Sequence, residues 1–216
     1  MKYYLDTEFH EFNINVNTDS KEYNINTIEL ISIGLVDEND KEYYAVCKDF
    51  DIDQAWKNTW LKENVLHPIW NKLKLECSLQ ESCRLANKHN RFTKQSLISL
   101  IESYGKTAEQ IKLEIIKFVD NPEFYAYYAD YDWVVFCWLF GRMIDLPEGF
   151  PKYCRDLKQM MDDKSNFIFT NKPKNWGQHP NNIKNHRDYP KQTSEHNALA
   201  DAKWNKKLHE FLNKNI

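Results

Sequence analysis

Glycine is scarce, at 5 of 216 residues. Backbone loops that wrap phosphate groups depend on glycine for tight turns and close approach, and neither G-x-G-x-x-G nor G-x-x-x-x-G-K-[ST] occurs, so the usual nucleotide cradles are excluded. An excess of positive charge is also missing. With a formal net charge of −3 and a pI of about 6.2, no global field draws the chain to nucleic acid or to a membrane. A nucleic-acid partner would have to be held by a local patch or through metal ions. The five cysteines (47, 77, 83, 137 and 154) are odd in number and scattered. Cys77-x5-Cys83 lacks zinc-ligand spacing, so free thiols, mostly buried and in a reducing compartment, are expected. No apolar run reaches membrane-spanning length, and Asp6 and Glu8 fall where a signal peptide would be apolar, so a cytoplasmic protein with no membrane partner is expected.

What is present is material for a core. Hydrophobic residues make up 42% and aromatics 14%, too much for a disordered chain, and the length suits a single domain over residues 1–216. Residues 1–9 form a short apolar and aromatic strand. The Asn-rich stretch 10–27 reads as a loop or hairpin tip. The β-branched run 27–36, the turn 37–40 and the run 41–47 then predict two more strands, completing an antiparallel meander. Apolar spacing predicts a helix over 53–66 that His67-Pro68 ends. Residues 69–105 have helical periodicity in two stretches, with a modest basic cluster at Arg84, Lys88, Arg91 and Lys94, and read as a helical insertion with a solvated face. Thr107 and Gln110 form a capping box for a helix that ends at Asp120-Asn121-Pro122. The aromatic run 123–129 follows a helix and is therefore expected to lie parallel beside the meander. After it, 133–141 is apolar nearly all round and predicts a buried helix stopped by Gly141. A strand remnant at Tyr153-Cys154, a helix over about 155–162, a polar loop over 164–195 and a closing amphipathic helix from Ala198 to Leu212 complete the chain. Together these elements predict an α/β fold with a mixed sheet flanked by helices.

Three groups of residues carry possible chemistry. Asp6 and Glu8 stand at i and i+2 on the first strand, which points both carboxylates to one face about 6.6 Å apart. Two such acids on a buried strand need neutralising, and divalent cations do this where oxygen ligands cluster; otherwise they are strand-end acids facing water. Asp130 and Asp132 follow the aromatic strand and open the apolar helix, where one of them could simply be the N-cap. His196 precedes the closing helix and Asp201 is expected in its second turn; alone, such a His reads as a capping or surface residue. Between Asn171 and Lys191 there are five Lys or Arg against one acid, interleaved with Trp176, His179, His186 and Tyr189. A basic loop with aromatics is the best local candidate for gripping single-stranded nucleic acid.

In this order, and on these elements, the groups resemble the DEDDh family of 3′-5′ exonucleases on the ribonuclease-H-like fold. The resemblance covers nearly the whole chain. It is nearest to the RNase AS-like exoribonuclease group, on Asp6-Thr7-Glu8-Phe9, on Thr27-Ile28-Glu29-Leu30-Ile31-Ser32-Ile33-Gly34, and on the helix opened by Tyr131-Asp132 that runs through Cys137 to Gly141. It implies Asp6, Glu8, Asp132 (rather than Asp130) and Asp201 as ligands of two Mg²⁺ or Mn²⁺, and His196 as general base. It also implies single-stranded RNA, more than DNA, as the substrate, shortened from its 3′ end to nucleoside 5′-monophosphates, and a homodimer. Phe9 could stack on the terminal base and Glu29 could reach its edge. The rival readings are an exonuclease acting on DNA and a catalytically silent nucleic-acid-binding domain of the same fold. The long segments 69–105 and 164–195 depart from the compact pattern and bear on substrate choice.

Overall fold

The computed structural model describes residues 1–17, 21–79, 91–164, 182–192 and 195–215. Five strands form one mixed sheet: β1 (Lys2–Asn17), β2 (Glu22–Asp37), β3 (Glu42–Val46), β4 (Glu123–Ala126) and β5 (Arg155–Asp156), in the order β3-β2-β1-β4-β5. The β2–β3 turn is antiparallel, closed by Asp37 N–H donating to Lys41 O, and Cys47 N–H donating to Ile31 O keeps the same register. On the other side β4 runs parallel to β1, pairing Tyr3 with Phe124 and Tyr4 with Tyr125, and β5 runs parallel to β4. Because β1 is central, Tyr3, Tyr4 and Leu5 are buried in succession, as a strand covered on both faces requires.

Among the described residues the α-helices are α1 (Ile52–Lys57), α2 (Thr59–Leu61), α3 (His67–Ser78), α4 (Lys94–Tyr104), α5 (Ala108–Phe118), α6 (Ala129–Trp138), α7 (Leu157–Lys164) and α8 (Ala198–Asn215). The chain divides into two compact units. One comprises Met1–Asp6, Gly34–Tyr43 and Val119–Ile216, and its core includes Tyr4, Tyr125, Leu157, Met161, Leu208 and Leu212. The other comprises Thr7–Ile33 and Tyr44–Phe118 and packs Ile31, Val65, Leu66, Leu73, Leu97 and Leu100 together. Among the described residues no helix is long and apolar enough to cross a membrane.

Several expectations need correcting. Residues 10–17 and 22–27 are strand rather than loop. Their alternating apolar residues, including Ile14, Val16, Tyr23 and Ile25, favour pleated backbone although each is exposed. The helix expected over 53–66 is interrupted at Asn58, whose backbone is extended, and the helical chain after it does not stop at Pro68. A π-type turn over Lys62–Leu66 closes with His67 N–H donating to Lys62 O, five residues back, and Pro68 sits in the first turn of α3, where its missing N–H costs little. Helix α6 is not buried all round: Trp133, Phe136 and Cys137 are covered, while Tyr131, Val134 and Trp138 are exposed. The strand remnant is Arg155–Asp156 rather than Tyr153-Cys154, and the following helix starts at Leu157. Cys47, Cys137 and Cys154 are free, whereas Cys77 is disulfide-bonded. The Thr107 capping box is present, with Thr107 N–H donating to Gln110 Oε1 at 2.9 Å and Gln110 N–H to Thr107 Oγ1 at 3.1 Å. Of the segments singled out in the sequence, residues 80–90 and 165–181 lie outside the described residues.

Candidate metal centre

Strand alternation sets Asp6 and Glu8 on one face of β1. The third acid comes from α8. Its start is fixed by Asn197, whose side chain accepts from Ala200 N–H at 3.1 Å and whose carbonyl accepts from Asp201 N–H at 2.9 Å. This places Asp201 in the first turn of the helix rather than the second. Asp6, Glu8 and Asp201 each offer a carboxylate oxygen, and these oxygens all lie within 4.8 Å of one another. Glu8 and Asp201 are only 8% and 7% exposed, so solvent cannot supply the neutralisation that such crowding demands.

Asp201 is held by several donors. One carboxylate oxygen accepts from Gln192 Nε2 and the other from Asn197 N–H at 3.2 Å. Burial pushes its pKa up; the hydrogen bonds from Gln192 and from the backbone N–H groups of Asn197 and His196, and the nearby His196 charge, oppose that rise. His196 is half-buried, and its backbone is left-handed at φ 64°, a conformation that costs a non-glycine residue on the order of 1 kcal/mol. It is not the N-cap, because Asn197 fills that role.

Asp132 lies in the first turn of α6, 6% exposed. The N-cap position of the helix is Tyr128 rather than Asp130 or Asp132, and Ala129 N–H donates to the Asp156 carboxylate from β5 at 2.8 Å. It stands near Cys154, whose thiol is pushed well up by burial first and then by the Asp132 and Asp156 charges. Its carboxylate is not in the group formed by Asp6, Glu8 and Asp201. Glu29 also stands outside that group, and its Oε2 accepts from Asp51 N–H at 2.8 Å. Phe9 is half-buried, and alternation turns it to the face of β1 opposite Glu8.

Two residues that serve this centre were not singled out from the sequence. Gln192 leaves no local signal, since only the fold brings it to Asp201. Gly34 does leave one, because an isolated glycine inside a strand marks close backbone approach. A Cβ at Gly34 would lie 2.3 Å from the carbonyl oxygen of Ala198 in the first turn of α8.

No model of a protein family matches the chain. Two proteins of Mycobacterium tuberculosis, one from strain CDC 1551 / Oshkosh and one from strain H37Rv, both named 3′-5′ exoribonuclease, do match it. Each is 31% identical over 169 residues, which cover 76% of this chain and 76% of theirs. That extent of likeness, joined to a mixed sheet whose central strand and closing helix gather three acids, two of them buried, shows that the chain belongs to the 3′-5′ exoribonuclease family.

Proposed function

We propose that the protein is a metal-dependent 3′-5′ exoribonuclease of the DEDDh type, in the RNase AS-like group, that releases nucleoside 5′-monophosphates from single-stranded RNA. The observation that carries this reading is the meeting of Asp6, Glu8 and Asp201 within 4.8 Å. An all-carboxylate donor set fits a hard cation such as Mg²⁺ or Mn²⁺ and suits no soft metal. In this reading Asp6, Glu8, Asp132 and Asp201 hold two such ions. When bound, the ions neutralise the acids and stabilise charge on the attacking and leaving oxygens of the phosphodiester.

The remaining work belongs to the chain. His196 takes the proton from the attacking water, a task that imidazole performs near neutral pH. Its left-handed backbone, immediately before the α8 cap, fixes the ring's starting point. Gln192 and the Asn197 N–H hold the Asp201 carboxylate in one orientation, so no ordering is required at the moment of reaction. Phe9 stacking on the terminal base and Glu29 reaching its edge belong to the same reading.

The test is incubation of 5′-labelled single-stranded RNA and DNA of one sequence with Mg²⁺, Mn²⁺ or EDTA, beside Asp6→Ala and His196→Ala. A metal-dependent ladder shortening from the 3′ end, stronger on RNA and lost in both variants, is the expected result. Shortening of DNA alone would move the reading to an exodeoxyribonuclease. Binding of RNA without product in any metal would leave a silent binding domain.

A further inference from the structure

A cavity of about 460 Å³ lies beside the start of α8, within the range of sites that take small ligands. Tyr127, Lys184, Arg187, Tyr189, Lys191 and Gln192 are among its walls. Its charge reverses that of the chain. Among the described residues three permanent cations face it against one lining acid, Glu195, and Asp188 pairs with Arg187 through an exposed contact at 3.3 Å and stands 4.0 Å from His186 Nδ1. Lys184, Arg187 and Lys191 are all exposed, whereas the Tyr127 and Tyr189 rings are half-buried and pack edge-on against Trp204 at 5.1 and 6.4 Å. Cations at the rim and aromatic faces below are the two components of a surface that grips single-stranded nucleic acid without reading its sequence.

The wall formed by residues 182–192 is anchored. Trp204 Nε1–H donates to Pro190 O at 3.0 Å, and His186 and Tyr189 both rest on the Phe211 ring, at 5.3 and 5.6 Å. Its last described residue makes the decisive contact: Gln192 lines the cavity and donates to Asp201. The cavity is therefore one side chain away from the acidic group.

We propose that this cavity is a subsite for the RNA strand upstream of the 3′ end being removed, with a phosphate against Lys184, Arg187 and Lys191 and a base against Tyr127 and Tyr189. The assignment rests on the exoribonuclease reading for the direction of the strand, but not for the binding itself. Gln192 is then a positioning residue that couples an occupied subsite to the orientation of Asp201.

The experiment measures fluorescence anisotropy of a labelled 12-nucleotide RNA in EDTA, where no cleavage occurs, for the full chain and for the Lys184→Gln/Arg187→Gln/Lys191→Gln variant over a series of salt concentrations. Loss of up to three phosphate contacts lowers the log–log salt slope by up to about 2 and weakens binding at least tenfold near 0.1 M salt. Tyr189→Ala weakens it about tenfold or more with the slope kept. In Mg²⁺, the loss in kcat/KM of the triple variant grows with RNA length, from small on a dinucleotide to tenfold or more on the 12-mer. An unchanged affinity and salt slope, or an equal loss on both lengths, would overturn the proposal. A wild-type protein that binds RNA through these residues and cleaves none would uphold the subsite and remove the exonuclease reading.

Discussion

Replacing Gly34 by alanine tests whether the acidic centre depends on close packing between β2 and the start of α8. The added Cβ would stand 2.3 Å from Ala198 O, 2.4 Å from Ala198 C and 2.5 Å from Leu199 N. All three atoms are backbone, so no rotamer change can relieve the clash. Restoring ordinary contact, near 3.4 Å, requires the first turn of α8 to retreat by about 1 Å. Asp201 lies in that turn and moves with it. Overpacking of this kind costs roughly 1–3 kcal/mol, which for a domain of this size lowers Tm by roughly 2–12 °C. A displacement of about 1 Å in a catalytic group costs on the order of 100-fold in rate. The assay pairs thermal unfolding with 3′-5′ shortening of a labelled RNA at 25 °C, where the variant remains folded. A Gly34→Ala protein with wild-type Tm and kcat/KM within twofold would refute both the packing argument and the claim that the α8 start fixes the centre.

Other consequences are smaller in scope. At 4.8 Å or less, like charges repel by roughly 3 kcal/mol at an effective dielectric of about 20, so Asp6→Asn is expected to raise stability to urea in EDTA by on the order of 1 kcal/mol. Mg²⁺ is expected to raise the Tm of the wild type and not of this variant; a variant less stable than wild type in EDTA would show that the acids are compensated within the protein. Lys206, 7% exposed, donates to Glu38 O at 2.9 Å and Asp40 Oδ1 at 2.6 Å, while the Asp40 side chain is 82% exposed. Lys206→Ala therefore costs about 1–3 kcal/mol in urea unfolding and Asp40→Ala under about 1 kcal/mol, and equal costs would contradict the burial argument. Asn205→Ala removes the 2.9 Å bond from its buried side-chain amide to Leu5 O, a tie between α8 and β1. It is expected to lose about 1–3 kcal/mol of stability together with Mg²⁺ affinity in a thermal-shift titration. Burial pushes the Cys47 and Cys137 thiols up to about 11, so mass spectrometry at pH 8 is expected to find both alkylated by iodoacetamide roughly 100-fold more slowly than a free thiol.

The parts of the fold that were legible in the sequence are those whose cause is local. The Thr107 capping box depends on four consecutive residues, and both of its bonds form. Asp6 and Glu8 share a face because strand periodicity alone decides it. The order of parallel strands after the meander followed from a strand succeeding a helix, as β4 beside β1 shows. The misreadings have non-local causes. Asn-rich composition suggested a loop or hairpin tip over 10–27, but β1 extends to Asn17 and β2 starts at Glu22, two strands that neighbour each other in the sheet. Pro68 read as a stop, and a π-type turn absorbed it. The cap of α6 was sought in Asp130 or Asp132, whereas Tyr128 holds that position and Ala129 N–H donates to Asp156, 27 positions along the chain. Gln192 was invisible because its only contact with the centre is made by folding.

Helix α8 explains why the candidate centre has a fixed geometry. Residues 198, 201, 205 and 209 recur at three- and four-residue intervals and so lie along one face. Ala198 meets the backbone of Gly34 on β2, Asn205 Nδ2 donates to the carbonyl of Leu5 on β1, and His209 Nδ1 is 2.9 Å from the hydroxyl of Tyr4 on the same strand. Lys203 and Lys206 flank this face and tie it to Glu42 and to the β2–β3 turn. Asp201 thus sits between two of these contacts, and Asp6 immediately follows the residue that receives one of them. The two carboxylates repel one another, so their spacing is set by the contacts that seat α8 on β1 and β2, together with the Gln192 and Asn197 donors to Asp201. A centre built in this way keeps its acids together before any cation arrives, and charge neutralisation is then available to bind the ion rather than to move the chain.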